Sequence, residues 1–201
     1  MASQLFAISE LIIVAAAIWC TFRLTQRRMW LAAVGCAVLG AIAAIGAYRY
    51  GFNQVTELAD LHKSASQIGG AMAIIFIGAQ FLMILSLVNE RNFARVLVAL
   101  SVWGSIFVMI TAPAIGMGLI VIWILVPIVV TAYVRHESLA TRLYLAALVS
   151  IFLFNFLLVR QSSILGPVYS WHAYHTLIAI WLIALVYVLK RCLQRIEHSQ
   201  I

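Results

Sequence analysis

The residues best placed to do chemistry are His172 and His175, within Ser170-Trp171-His172-Ala173-Tyr174-His175 at the head of the last long apolar run. On a helix from Tyr169 to Val188 they stand at i and i+3 and share a face. That spacing suits two ligands to one metal or two contacts to one substrate. The bland alternative is a pair of interfacial histidines bonded to their neighbours. A catalytic zinc takes three protein ligands and keeps a position open for a water that ionises near neutral pH. The pair supplies two ligands, and the third must come from His62, Asp60 or Glu10.

Other polar residues recur near the same end of the apolar runs. Glu10 lies inside the first run, Arg49 ends the second, and Asn155 falls late in the sixth. Glu57, Asp60, Ser64 and Gln67 follow one another at i, i+3, i+7 and i+10. If a helix starts near Thr56 they form one polar stripe, expected to face the bundle interior or a wet cavity. His62 then points about 160° away from Asp60, from 3.6 residues per turn. Each residue also has a plainer role. Glu57 and Asp60 suit a helix N-terminus, Glu10 can reach water from an interface, and Arg49 can anchor a helix end. Tyr169, Trp171 and Tyr174 are ordinary interfacial aromatics.

The elements that must position these groups are membrane helices. Of 201 residues, 65% are hydrophobic and only 9% charged, and the mean hydropathy is +1.08. A soluble domain is roughly half apolar and about a quarter charged. Apolar runs near twenty residues indicate helices, since barrel strands would alternate every second residue. The expected fold is all-α, a single polytopic domain over 1–201 with seven spans near 5–24, 29–48, 64–88, 93–111, 115–134, 139–159 and 169–189. Gly35, Gly40, Ala44 and Ala47 offer a close-packing face on the second span, and Pro127 should kink the fifth. No basic region precedes the first run, which reads as a retained span. Cys20, Cys36 and Cys192 have no disulfide or metal spacing and read as inert thiols.

The net charge of +7 is distributed as a topology signal, which argues against a nucleic-acid partner. Ten of the thirteen Lys and Arg flank the odd-numbered loops or follow the last span. Only Arg49, Lys63 and Arg160 remain for the other side. The positive-inside rule therefore places the N-terminus outside and the C-terminus in the cytoplasm. Glu10, Arg49, Glu57, Asp60, His62, Asn155, His172 and His175 then share the outer leaflet. His136 and His198 fall on the cytoplasmic side. The layout suits a multi-pass protein of a bacterial inner membrane.

Three patches carry a resemblance to a known family. Trp171-His172-Ala173-Tyr174-His175-Thr176-Leu177 resembles the last-helix motif of the CREST superfamily, which includes the alkaline ceramidases and, inverted, the adiponectin receptors. Gly46-Ala47-Tyr48-Arg49-Tyr50-Gly51 resembles its glycine-rich patch, and Glu57-Leu58-Ala59-Asp60-Leu61 its aspartate patch. Glu10 falls where ceramidase-like members carry an acid on the first helix. The resemblance implies seven helices, a zinc ion and hydrolysis of a lipid amide or ester. On that reading His172, His175 and His62 would hold zinc, Asp60 and Ser64 would serve catalysis, and Glu10, Arg49, Glu57, Asn155, Trp171 and Tyr174 would line the lipid pocket. The chain departs from the pattern at two ligands: Arg49 stands in place of the first histidine and Trp171 in place of the second.

Two functions stay open on these grounds, a metal-dependent lipid hydrolase and a non-enzymatic lipid-binding or sensing protein that has lost the zinc site. A third is a b-type haem protein pairing His62 with His172 or His175. The partner in the first two is a membrane lipid. A transporter finds no support in an internal repeat or paired broken helices.

Overall fold

A computed structural model describes residues 2–88, 92–132, 137–160 and 162–199. Arg91, Arg135 and His136 lie outside the described residues, as do the side chains of Arg195 and His198. Helix is the regular secondary structure of the described residues, with no strand among them. The helices are α1 (Ala2–Thr25), α2 (Trp30–Gly51), α3 (Ala59–Ser64), α4 (Gly70–Val88), α5 (Asn92–Thr111), α6 (Pro113–Ala132), α7 (Leu139–Phe154) and α8 (Gly166–Ser199). Two π-helical turns, Ala65–Gly69 and Asn155–Val159, continue α3 into α4 and extend α7. Among the described residues, five stretches are long and apolar enough to cross a membrane. Arg95–Thr111 and Gly118–Ala132 are shorter apolar helices. The chain is a multi-pass integral membrane protein.

Large apolar side chains cover the outside, with Trp103, Phe107 and Ile110 each at least 66% exposed. In lipid such side chains need no cover, and helices associate by close packing instead. Small residues provide that packing. A Cβ on Gly40 would sit 2.9 Å from the Cβ of Ala17, and one on Gly35 would sit 2.7 Å from the carbonyl of Ala73. So α2 lies tight against both α1 and α4. The close-packing face of α2 runs through Gly35, Gly40, Ala43 and Gly46, all buried. The expected Ala44 is exposed and Ala47 only partly buried, because the buried stripe turns away from them along the helix. Cys20, Cys36 and Cys192 are free and buried.

Local chemistry explains the ends that matter for the site. Arg28 adopts a left-handed conformation after α1, and Leu24 O accepts hydrogen bonds from Arg27 and Met29. This closes the helix in a tight turn and returns α2 antiparallel. Asn53, also left-handed, does the same after α2; asparagine tolerates that backbone better than most residues. Arg49 Nε then donates to Val55 O at 2.9 Å, pinning the returning loop beneath the end of α2. The helix resumes at Ala59, five residues before the expected start of the third span, and carries His62 back towards α1.

Candidate functional site

Glu10 is the centre of the site. It lies on α1 and is 2% exposed. Its Oε1 is 3.3 Å from His175 Nε2 on α8 and 3.8 Å from His62 Nε2 on α3. Those contacts are in ion-pair range, yet Oε1 has no aligned hydrogen bond. Gly46 on α2 makes the approach feasible: a Cβ there would lie 2.5 Å from Oε1 and 3.0 Å from His62 Nε2. Four stretches of chain far apart in sequence thus meet at one carboxylate.

Hydrogen-bond chemistry assigns the ring protons. His175 Nδ1 is 2.7 Å from Trp171 O, which can only accept, so Nδ1 carries a hydrogen. Its Nε2 would then present a bare lone pair to a carboxylate oxygen unless one proton resides on the pair. At 3.3 Å the two atoms are close enough to pass a proton between them once one is bound. His62 is arranged in the opposite sense. Arg49 Nη1, a pure donor, stands 3.3 Å from His62 Nδ1, so Nδ1 accepts and Nε2 carries the hydrogen towards Glu10.

Aromatic rings hold the cluster in place. Trp171 stacks at 4.4 Å from the His175 ring and edge-on to Tyr50 and Phe6. Asn155, 1% exposed, donates from Nδ2 to Tyr174 O at 2.8 Å and ties the second π-turn to α8. Arg160 follows that turn, its guanidinium over the rings of Phe156 and Tyr174. π-turns recur at functional sites because the extra residue redirects side chains, and both turns here border one cavity.

That cavity has a volume of about 920 Å³. Glu10, Arg49, His62, Trp171, Tyr174 and His175, all expected at the site, line it. Ile13, Ile74, Ile124 and Phe152 give it an apolar wall. Lys63 and Arg160, read from sequence only as topology charges, also line it. Their scarcity on the side expected to be outer was the one signal that could have marked them.

Other expected residues lie elsewhere. Glu57, Asp60 and Ser64 are exposed and outside the cavity wall. The stripe they form faces away from the site, because α3 turns His62 inward and Asp60 stands two residues, roughly 200°, around the helix. Of the expected inward-facing stripe, Gln67 in the first π-turn lines the cavity, whereas Asp60 and Ser64 do not reach Glu10. His172 also stays apart, stacking on Phe6 at 5.5 Å while His175 turns to Glu10.

The ligand set His172, His175 and His62 is therefore not assembled. Among the described residues, no three His, Cys, Asp or Glu stand as a metal-binding group. Glu10, His62 and His175 come nearest, but Arg49 directed at His62 Nδ1 puts hydrogen on the Nε2 that a metal would need. As placed, these donors do not fit zinc. For haem, the Nε2 atoms of both His62 and His175 are turned to Glu10 Oε1.

In comparisons with protein families, curated proteins and solved structures, nothing matches this chain.

Proposed function

We propose that this is a seven-span membrane protein, N-terminus outside and C-terminus in the cytoplasm, that takes a membrane amphiphile into the cavity beside Glu10. The observation that carries this reading is the two-part lining of one cavity of about 920 Å³. Ile13, Ile74, Ile124 and Phe152 suit acyl chains, while Arg49, Lys63, His62 and His175 suit a polar headgroup. Ligand sites generally combine a mostly apolar wall with a few placed polar groups. The size falls within the usual range of about 300–1,000 Å³ for such sites. Cross-linking with a lipid carrying a photoreactive acyl chain tests it. Labelled peptides should contain Phe152 or Ile178. Labelling confined to the outward face around Trp103 would contradict it.

Hydrolysis of the bound lipid is a second reading, favoured by the Glu10–His175 pair. Carrying one proton, the pair would have a vacant site to accept a proton from water and a proton to give a leaving group. Water oxygen would add to the ester or amide carbonyl carbon, and the scissile C–O or C–N bond would break as the leaving atom is protonated. This is general acid–base catalysis by groups already in contact.

A further inference from the structure

The cavity lining contains three basic side chains, Arg49, Lys63 and Arg160, and one carboxyl group, Glu10. The cations come from three separate places: the end of α2, α3, and the residue after the second π-turn. Among the described residues, none of the three forms an ion pair with a carboxylate. Glu57 and Asp60, the acids nearest Lys63 in sequence, are exposed and outside the lining. Glu10 is engaged with His62 and His175. Ser162, Ser163 and Ser170 add hydroxyls to the same wall.

The charge count along the chain sharpens this. These three are the only Lys or Arg that the positive-inside distribution leaves for the outer side, against ten for the other. Residues serving only to anchor helix ends would be scattered around the bundle. All three instead line one cavity, a concentration of positive charge suited to an anion.

We infer that the bound amphiphile carries an anionic headgroup, phosphate or carboxylate, held by Arg49, Lys63 and Arg160 with its acyl chains against the apolar wall. This rests on the amphiphile reading above. Arg49 is positioned by Val55 O and Tyr50 Oη, and its Nη1 also faces His62. It therefore links the headgroup to the Glu10 cluster. Lys63 and Arg160 are exposed, and Arg160 is seated over the rings of Phe156 and Tyr174.

The test is native mass spectrometry of the full chain released from nanodiscs containing phosphatidylglycerol, phosphatidylcholine and ceramide in equal parts. Retained phosphatidylglycerol should exceed the other two. Lys63→Gln and Arg160→Gln should each lower that preference about fivefold, the effect of one cation near an anionic headgroup. Both residues are exposed, so these variants should fold. The double reversal Lys63→Glu with Arg160→Glu should abolish the preference while neutral lipid is still retained. Equal retention of the three lipids by the wild type overturns the anionic headgroup and leaves the amphiphile reading standing. No lipid retained overturns both. Displacement of phosphatidylglycerol by millimolar glycerol phosphate alone would place the specificity in the free phosphate and overturn the lipid assignment.

Discussion

Glu10 Oε1 and His175 Nε2 lie 3.3 Å apart in a buried contact whose far side, His175 Nδ1, is fixed to Trp171 O at 2.7 Å. The two side chains come from opposite ends of the sequence, and their contact joins α1 to α8. Removing His175 leaves a carboxyl group buried beside His62 alone. Breaking a buried ion pair by losing one partner costs about 3–5 kcal/mol. His175→Ala should therefore lower stability strongly. Glu10→Gln keeps an amide able to donate to Nε2 and should cost clearly less. The double variant should be less than additive by about 0.5–3 kcal/mol, as for residues in contact. Unfolding in detergent micelles measures all three; additive effects would show that the pair is not coupled.

Gly46 gives a second handle on the same contact. Its missing side chain admits Glu10, and Gly46→Ala would place a Cβ 2.5 Å from Oε1. Overpacking of this kind costs about 1–3 kcal/mol. Gly104→Ala, with nothing within 4 Å of the new Cβ, should be neutral or slightly stabilising. Comparing the two by thermal unfolding separates the specific clash from a general effect of replacing helical glycine. Equal effects would argue against the close approach of α1 and α2.

Topology is open to direct labelling. Single cysteines at Lys63 and Arg160 should react with a membrane-impermeant maleimide added to intact cells. Single cysteines at Arg28 and Lys190 should react only after the membrane is opened. The background for this is a chain in which Cys20, Cys36 and Cys192 are each replaced by serine. The opposite pattern would invert the orientation and move the cavity to the cytoplasmic side.

Much of this arrangement can be read from residue types and spacing, and the limits are instructive. Apolar run lengths identify the membrane helices because a bilayer demands about twenty residues per span. Glu10, Arg49, His62 and His175 can be singled out because charge inside such a run needs a partner. Which way they face is harder. Asp60 and His62 differ by only two positions, and the direction of α3 is set by the turn at Asn53 and the Arg49–Val55 bond, a side-chain contact that residue types do not announce. His172 and His175 differ by about 60° around α8, from 3.6 residues per turn. That is enough for Phe6 to take one ring and Glu10 the other. The π-turns that border the cavity leave no clear mark in composition.

The separation of the two histidines makes a metal prediction. His172→Ala should leave lipid retention unchanged, whereas His175→Ala should disturb it. Zinc in protein purified from zinc-supplemented cells should fall well below one ion per chain. A stoichiometric zinc, lost on His175→Ala, would mean that Arg49 moves off His62 and that a metal centre forms around Glu10.

The claim that the cavity is a lipid site is tested most directly by plugging it. Ala71 is 3% exposed and lines the cavity wall, so Ala71→Trp places an indole in the space assigned to acyl chains. Lipid retained per chain after detergent purification is the quantity to measure, in wild type and variant at matched folding. The account predicts about one lipid per wild-type chain, as for a single site, and a large loss in Ala71→Trp. Equal retention by the two proteins would show that bound lipid lies on the outer surface and that the cavity serves another purpose.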